Sequence, residues 1–210
     1  MAVRLEYRFQ MKTFICSYQI GGYCSDKGFQ QVGKDLFLSG LNNFHSGNLS
    51  VRFGDRIIIT RCGSMLAHLE IEDLIETGLY KEDNNTALAS KELEVHRTIY
   101  IRTNALAIVH AHPVYATALS IIEDEIIPVD EEGQYLQKKI PVLSVKQSIG
   151  SQEVATKLPE LLKEYKIVMV RGHGCFAVGQ LLEEAYQCTS SLENICKIFY
   201  LTRTLKGAVI

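Results

Sequence analysis

Apolar positions along the chain switch between a helical and a strand-like period. Phe29, Val32, Leu36 and Phe37 recur at helical spacing and lead to Gly40, so a helix is predicted there with Gly40 as its stop. Residues 42–50 are rich in turn formers. The runs 49–53 and 56–60 then read as strands, with Gly54-Asp55 between them as the tight turn of a hairpin. Cys62-Gly63-Ser64 reads as a sharp loop and the polar residues 81–86 as an exposed one. Ser90 is placed to cap a helix running to about Arg102, with Leu93, His96 and Tyr100 facing inward. Residues 107–112 form the next predicted strand, and Pro113 opens a helix to Ile122 from the position proline favours. A short strand over 140–145 precedes a helix over 151–165 that Pro159 should kink or divide. A buried strand over 167–171, a turn at Gly172-His173-Gly174, a strand over 175–178 and a long amphipathic helix over 181–205 complete the chain. This alternation predicts α/β layers around a mixed or antiparallel sheet.

Composition narrows the class. At 210 residues and 47% hydrophobic content, one domain with an ample core is expected over residues 29–210, with 1–28 as an N-terminal extension. A net charge of −2 without a basic run speaks against nucleic acid or an anionic membrane surface as partner. The apolar runs are too short to span a bilayer, and the extension lacks the continuous apolar core of a secretory signal. The six cysteines form no C-x-x-C pair, so reduced thiols in a cytoplasm are expected.

The chemistry begins at Ala107-Ile-Val-His-Ala-His112. On a strand, His110 and His112 share one face, because alternate side chains do. Two imidazoles make half a site, since catalytic zinc commonly takes three protein ligands and keeps a position open. Glu92 lies near the start of the 90–102 helix. That helix advances roughly 15 Å over ten residues, and the returning strand covers a similar roughly 13–20 Å. Antiparallel packing of the two therefore brings Glu92 beside the histidines. His173 follows another strand, in a glycine-flanked turn that lets backbone approach a ligand closely. The constellation is Glu92, His110, His112 and His173: a zinc-like donor set in which the carboxylate either ligates or acts as base.

Taken together, Ser-Gly-Asn-Leu-Ser-Val-Arg (46–52), Ile-Ile-Ile-Thr-Arg-Cys-Gly (57–63), Ser-Lys-Glu (90–92), His-Ala-His (110–112) and Arg-Gly-His-Gly (171–174) resemble the class II aldolase/adducin family over about residues 29–205. The resemblance implies a three-layer α/β/α sandwich with a mainly antiparallel central sheet, and commonly a fourfold homotetramer. It implies zinc on His110, His112 and His173, with Glu92 a ligand in the empty site and an acid/base in turnover. It places phosphate contacts on Gly47, Asn48, Cys62, Gly63, Ser90 and Lys91. Small residues there expose backbone N–H groups, and a helix start favours an anion.

Two departures stand out. Cys62 and Lys91 replace the threonine and serine many members carry, and Lys91 adds a cation at the phosphate position. Where the aldolases bring a tyrosine from a neighbouring subunit as proton donor, this chain has Glu131-Glu132, with Tyr135 close by. The expected activity is a metal-dependent, fuculose-phosphate-aldolase-like lyase that cleaves a small ketose phosphate through a metal-stabilised enediolate. Epimerase, dehydratase or decarboxylase chemistry on the same metal, and a non-catalytic adducin-like interaction domain, stand as the alternatives.

Overall fold

The protein is described from a computed structural model covering residues 25–207. The expected extension lies outside these residues except for its last four, which open the first helix. That helix, α1, spans Ser25–Leu38 and buries Phe29, Val32 and Leu36. It ends where Gly40 turns left-handed at φ +69°. The hairpin follows as β1 (Asn48–Phe53) and β2 (Arg56–Thr60), with Phe53 opposite Arg56 across the two-residue turn.

The next element was not expected. Leu74–Gly78 forms β3, an antiparallel edge strand on β2. Its apolar pair, Leu74-Ile75, is too short to show a period in the sequence. Helix α2 is Leu93–Arg102 and β4 is Ala107–Ala111. Ser90 is not the cap of α2. Glu92 holds that position, and the Ser90 hydroxyl accepts from the Glu92 N–H at 3.3 Å in the turn before it. Pro113 likewise stands at the cap position of α3, Val114–Ile122, just ahead of the first helical turn.

A two-residue strand β5 (Glu125–Ile126) and a short helix α4 (Glu131–Leu136) precede β6, Ile140–Leu143. Helix α5, Gln152–Leu162, is capped by Ser151 and runs through Pro159 undivided. The proline has no N–H to give the Ala155 carbonyl, but it lies in the final turn, so only the three residues to Leu162 follow it in the helix. Strands β7 (Ile167–Val170) and β8 (Gly174–Gly179) flank the predicted Gly-His-Gly turn, and α6 closes the chain over Leu182–Gly207.

The eight strands lie in the order β3-β2-β1-β4-β8-β7-β6-β5, antiparallel at every pairing except β6 with β7. Side-chain alternation sends β-residues to both faces. Ile58, Val109 and Ala177 pack into one core with α1, α3 and α6, while Ile57, Ile59, Ile108 and Phe176 pack into the other with α2 and α5. The sheet is thus sandwiched between two helical layers, as the class II aldolase resemblance implied. His110 has the parity of Ile108, so it belongs to the face covered by α2. No helix among the described residues is long and apolar enough to cross a membrane.

Candidate active site

His110, His112 and His173 come together as the sequence predicts. Their ligand-type nitrogens all lie within 4.8 Å of one another. His110 is held from two sides. Its Nδ1–H donates to the Cys175 carbonyl at 2.9 Å, and its ring stacks on Phe176 at 4.1 Å between centroids. Because a carbonyl can only accept, the proton sits on Nδ1 and the Nε2 lone pair faces the site. His112 brings its own Nε2 to 3.0 Å from that atom. Its backbone N–H is fixed by the Leu41 carbonyl and by Asn42 Oδ1 at 2.9 Å.

His173 completes the group from the β7–β8 turn. Of the glycines beside it, Gly172 takes the left-handed φ of +64° that the turn needs, and Gly174 serves the close approach anticipated from the sequence. A Cβ on Gly174 would stand 2.5 Å from the Ala111 carbonyl oxygen and 2.7 Å from the His112 ring.

All three imidazoles are kept neutral. Burial holds His110 well below the ordinary histidine range, with the neighbouring His112 and His173 adding to the effect. Burial, with His173 beside it, pushes His112 down to about 4. Burial also lowers His173, against an opposing contact with the Ser148 backbone. Neutral imidazole is the form that binds a metal. His173 Nδ1 is buried without a partner, and two Nε2 atoms face each other across 3.0 Å. A divalent cation suits that donor set.

Glu92 shares the cavity but not the tight group of nitrogens. Its Oε1 accepts from the Gly150 N–H at 2.9 Å, and its Oε2 is buried with no partner. Burial raises its pKa, and the Gly150 bond opposes that shift only in part. A carboxyl so placed, with one oxygen unpartnered and its protonated form favoured by burial, is suited to take up and release a proton.

These four residues line one open cavity of about 320 Å³. The six positions expected to hold phosphate line it as well. Gly47 and Asn48 enter from the start of β1, Cys62 and Gly63 from the loop after β2, and Ser90 and Lys91 from the turn before α2. Asn48 pairs with His110 across the strands, which ties the first of these loops to the metal face. The three loops converge because β1 lies between β2 and β4, and because the turn before α2 is tied to the end of β2 by the Ser90 N–H on the Thr60 carbonyl and the Cys62 N–H on the Leu88 carbonyl.

His45, Ser46, Arg61, Ser64 and Ile149 also line the cavity, and none of them is among the site residues expected from the sequence. His45 donates from Nδ1 to the Gly63 carbonyl at 3.0 Å. Ile149 belongs to the loop before α5, whose Ser-Ile-Gly-Ser run was the available signal. Glu131, Glu132 and Tyr135 line no part of this cavity within the chain. Tyr135 is 89% exposed on α4.

A mixed sheet between helical layers, carrying a histidine triad able to hold a metal beside a buried carboxyl, defines an α/β enzyme class with a candidate metal centre. Residues 27–200 match the family described as Class II Aldolase and Adducin N-terminal domain, and the chain belongs to that family. It is 32% identical to the L-fuculose phosphate aldolase of Methanococcus maripaludis over 76% of this chain and 87% of that protein. It is 30% identical to the 3-oxo-tetronate 4-phosphate decarboxylase of Pectobacterium atrosepticum over 81% of each. The crystal structure of L-fuculose-1-phosphate aldolase from Thermus thermophilus superposes with a TM-score of 0.84 at 41% identity, covering 88% of this chain and 97% of that one.

Proposed function

We propose that this protein is a zinc-dependent lyase that cleaves a small ketose phosphate, such as L-fuculose 1-phosphate, by retro-aldol chemistry. The observation that carries the reading is the convergence, in one cavity, of three neutral imidazoles and a cation-bearing rim. Held by His110, His112 and His173, a divalent ion would supply Lewis-acid polarisation of the substrate carbonyl. Glu92, whose Oε2 has no partner, moves the proton at the carbon beside that carbonyl. Gly47, Asn48, Cys62, Gly63, Ser90 and Lys91 anchor the phosphate and so fix which bond lies over the site.

A homotetramer in the cytoplasm belongs to the same reading. Ile121 and Ile122 on α3 and Tyr200 and Leu205 on α6 are at least half exposed, while the two helices pack together through Tyr115 and Tyr200. In such an assembly, Glu131 or Glu132 would take the part of the tyrosine that the aldolases bring to a neighbour's site.

Decarboxylation of a phosphorylated keto acid is the second reading. The Pectobacterium relative supports it, as does Lys91, a cation able to meet a carboxylate. The deciding experiment supplies zinc-reconstituted protein with L-fuculose 1-phosphate and with 3-oxo-tetronate 4-phosphate, and follows dihydroxyacetone phosphate, lactaldehyde and carbon dioxide separately. Triose phosphate with lactaldehyde from L-fuculose 1-phosphate supports the lyase. Carbon dioxide with an equal amount of triose phosphate from 3-oxo-tetronate 4-phosphate, and no cleavage of L-fuculose 1-phosphate, supports the second reading, and no product from either substrate with metal-loaded protein overturns both.

A further inference from the structure

Helix α3 begins two residues after His112, and charged side chains hold both its ends. At its start, the Glu193 carboxylate of α6 accepts from the Tyr115 and Ala116 N–H groups at 3.0 and 2.9 Å. At its finish, Arg171 donates from Nη1 to the Ser120 and Ile121 carbonyls at 2.8 and 3.1 Å. A carboxylate at the N-terminus and a guanidinium at the C-terminus each match the helix dipole.

Arg171 is also the first residue of the turn that carries His173. The turn spans only the residues between Val170 and Gly174, which pair directly across β7 and β8. Its next residue, Gly172, donates its N–H to Ser120 Oγ at 2.9 Å. The other donors of Arg171 reach Ser144 Oγ at 2.6 Å and Asp124 Oδ1 at 2.5 Å. One planar fork therefore joins the end of α3, the end of β6 and the His173 turn. Lysine, with a single nitrogen, cannot hold these partners at once.

We propose that Arg171 is the positioning residue of the metal centre. It ties the helix that follows His112 to the turn that carries His173, and so sets the third imidazole against the other two. Arg171 itself lines no part of the cavity. The inference rests on the metal-centre reading above. Asp124 is 98% exposed, so its pairing with Arg171 adds little, and the carbonyl bonds are the part that matters.

The test measures zinc affinity by chelator competition, together with the visible spectrum of the cobalt-substituted protein, for wild type, Arg171→Met, Arg171→Lys, Asp124→Ala, His173→Ala and the Arg171→Met/His173→Ala double variant. Supporting partners of metal ligands typically contribute about 10–100-fold in affinity. Arg171→Met should lose affinity in that range and change the cobalt spectrum, and Arg171→Lys should recover only part of it. Asp124→Ala should match wild type. The double variant should bind no more weakly than His173→Ala alone, because Arg171 acts through His173. Wild-type affinity in Arg171→Met, or an additive loss in the double variant, overturns the proposal and leaves the metal centre standing. A wild type that binds no zinc or cobalt overturns both. If Arg171→Met does not fold, the same comparison is made with Arg171→Lys and with Ser120→Ala, which removes the Gly172 anchor. Wild-type affinity in both of those overturns the proposal.

Discussion

His110 and Phe176 stand directly opposite each other on β4 and β8, and their rings lie nearly parallel, 16° apart in plane and 4.1 Å between centroids. Phe176 is fully buried and meets the His96 ring edge-on from another side, so it cannot swing away. The contact fixes the plane of the imidazole, while the Cys175 carbonyl fixes its proton. Phe176→Leu keeps an apolar strand residue and removes the flat surface. It should destabilise the fold by about 1 kcal/mol and weaken zinc binding by about tenfold. Urea unfolding and chelator competition measure the two effects. Unchanged zinc affinity would show that Phe176 serves packing alone.

Glu92 separates chemistry from metal binding. Glu92→Gln preserves shape and an acceptor for the Gly150 N–H but removes the ionisable carboxyl. Turnover should fall about 10²–10⁴-fold, while zinc content stays at the wild-type level because the three histidines suffice as ligands. Metal analysis and single-turnover rates are the measurements. Full turnover with zinc bound transfers the proton role to Glu131 or Glu132.

How much of this was legible in the sequence depends on the range of the interactions involved. The His110/His112 pair could be read because a strand's period of two puts both on one face. Glu92 could be placed because helix rise and strand rise cancel over that segment. The resemblance, rather than any local pattern, brought Cys62 and Gly63 into the site. Strand β3 stayed hidden because pairing with β2, not its own composition, makes it a strand. The roles of Phe176 and Gly150 were equally out of reach. Phe176 meets His110 across 66 positions and Gly150 meets Glu92 across 58, and only the folded sheet brings those segments together.

His96 makes the metal-free fold acid-sensitive. It is fully buried, with Nδ1 2.6 Å from Ser50 Oγ, which is itself 2.6 Å from the Tyr100 hydroxyl. Burial lowers its pKa to about 3. The unfolded chain binds a proton on this residue near pH 6.5, whereas the folded chain does not. Stability is therefore full above about pH 6.5 and declines as pH falls toward 3, with His96 contributing about 1.4 kcal/mol per pH unit inside that window. Denaturant unfolding of the metal-free protein at pH 7.5 and pH 5 should differ by about 2 kcal/mol through His96, with His110 and His112 adding in the same direction and Glu92, whose pKa burial raises, opposing. Equal stability at the two values would mean that His96 is protonated, or open to water, in the fold.

Lys91 tests the phosphate end of the cavity. It stands exposed on the rim, makes no ion pair among the described residues, and shares that rim with Arg61. Beside it, the Ser90 hydroxyl oxygen is occupied by the Glu92 N–H, which leaves its own proton to donate to an anion. A charge-assisted contact at an exposed rim contributes about 1.4 kcal/mol, or tenfold in binding. Because the phosphate lies away from the reacting carbons, the contact is equal in ground and transition states. Lys91→Met should then raise KM about tenfold with kcat nearly unchanged, the reverse of the Glu92→Gln pattern. Added salt should raise the wild-type KM more than that of the variant, since the variant has one cation fewer to screen. An unphosphorylated ketose gives the control, with the same KM expected for both proteins. If Lys91→Met weakens phosphorylated and unphosphorylated substrates alike, the lysine shapes the cavity and the phosphate binds elsewhere.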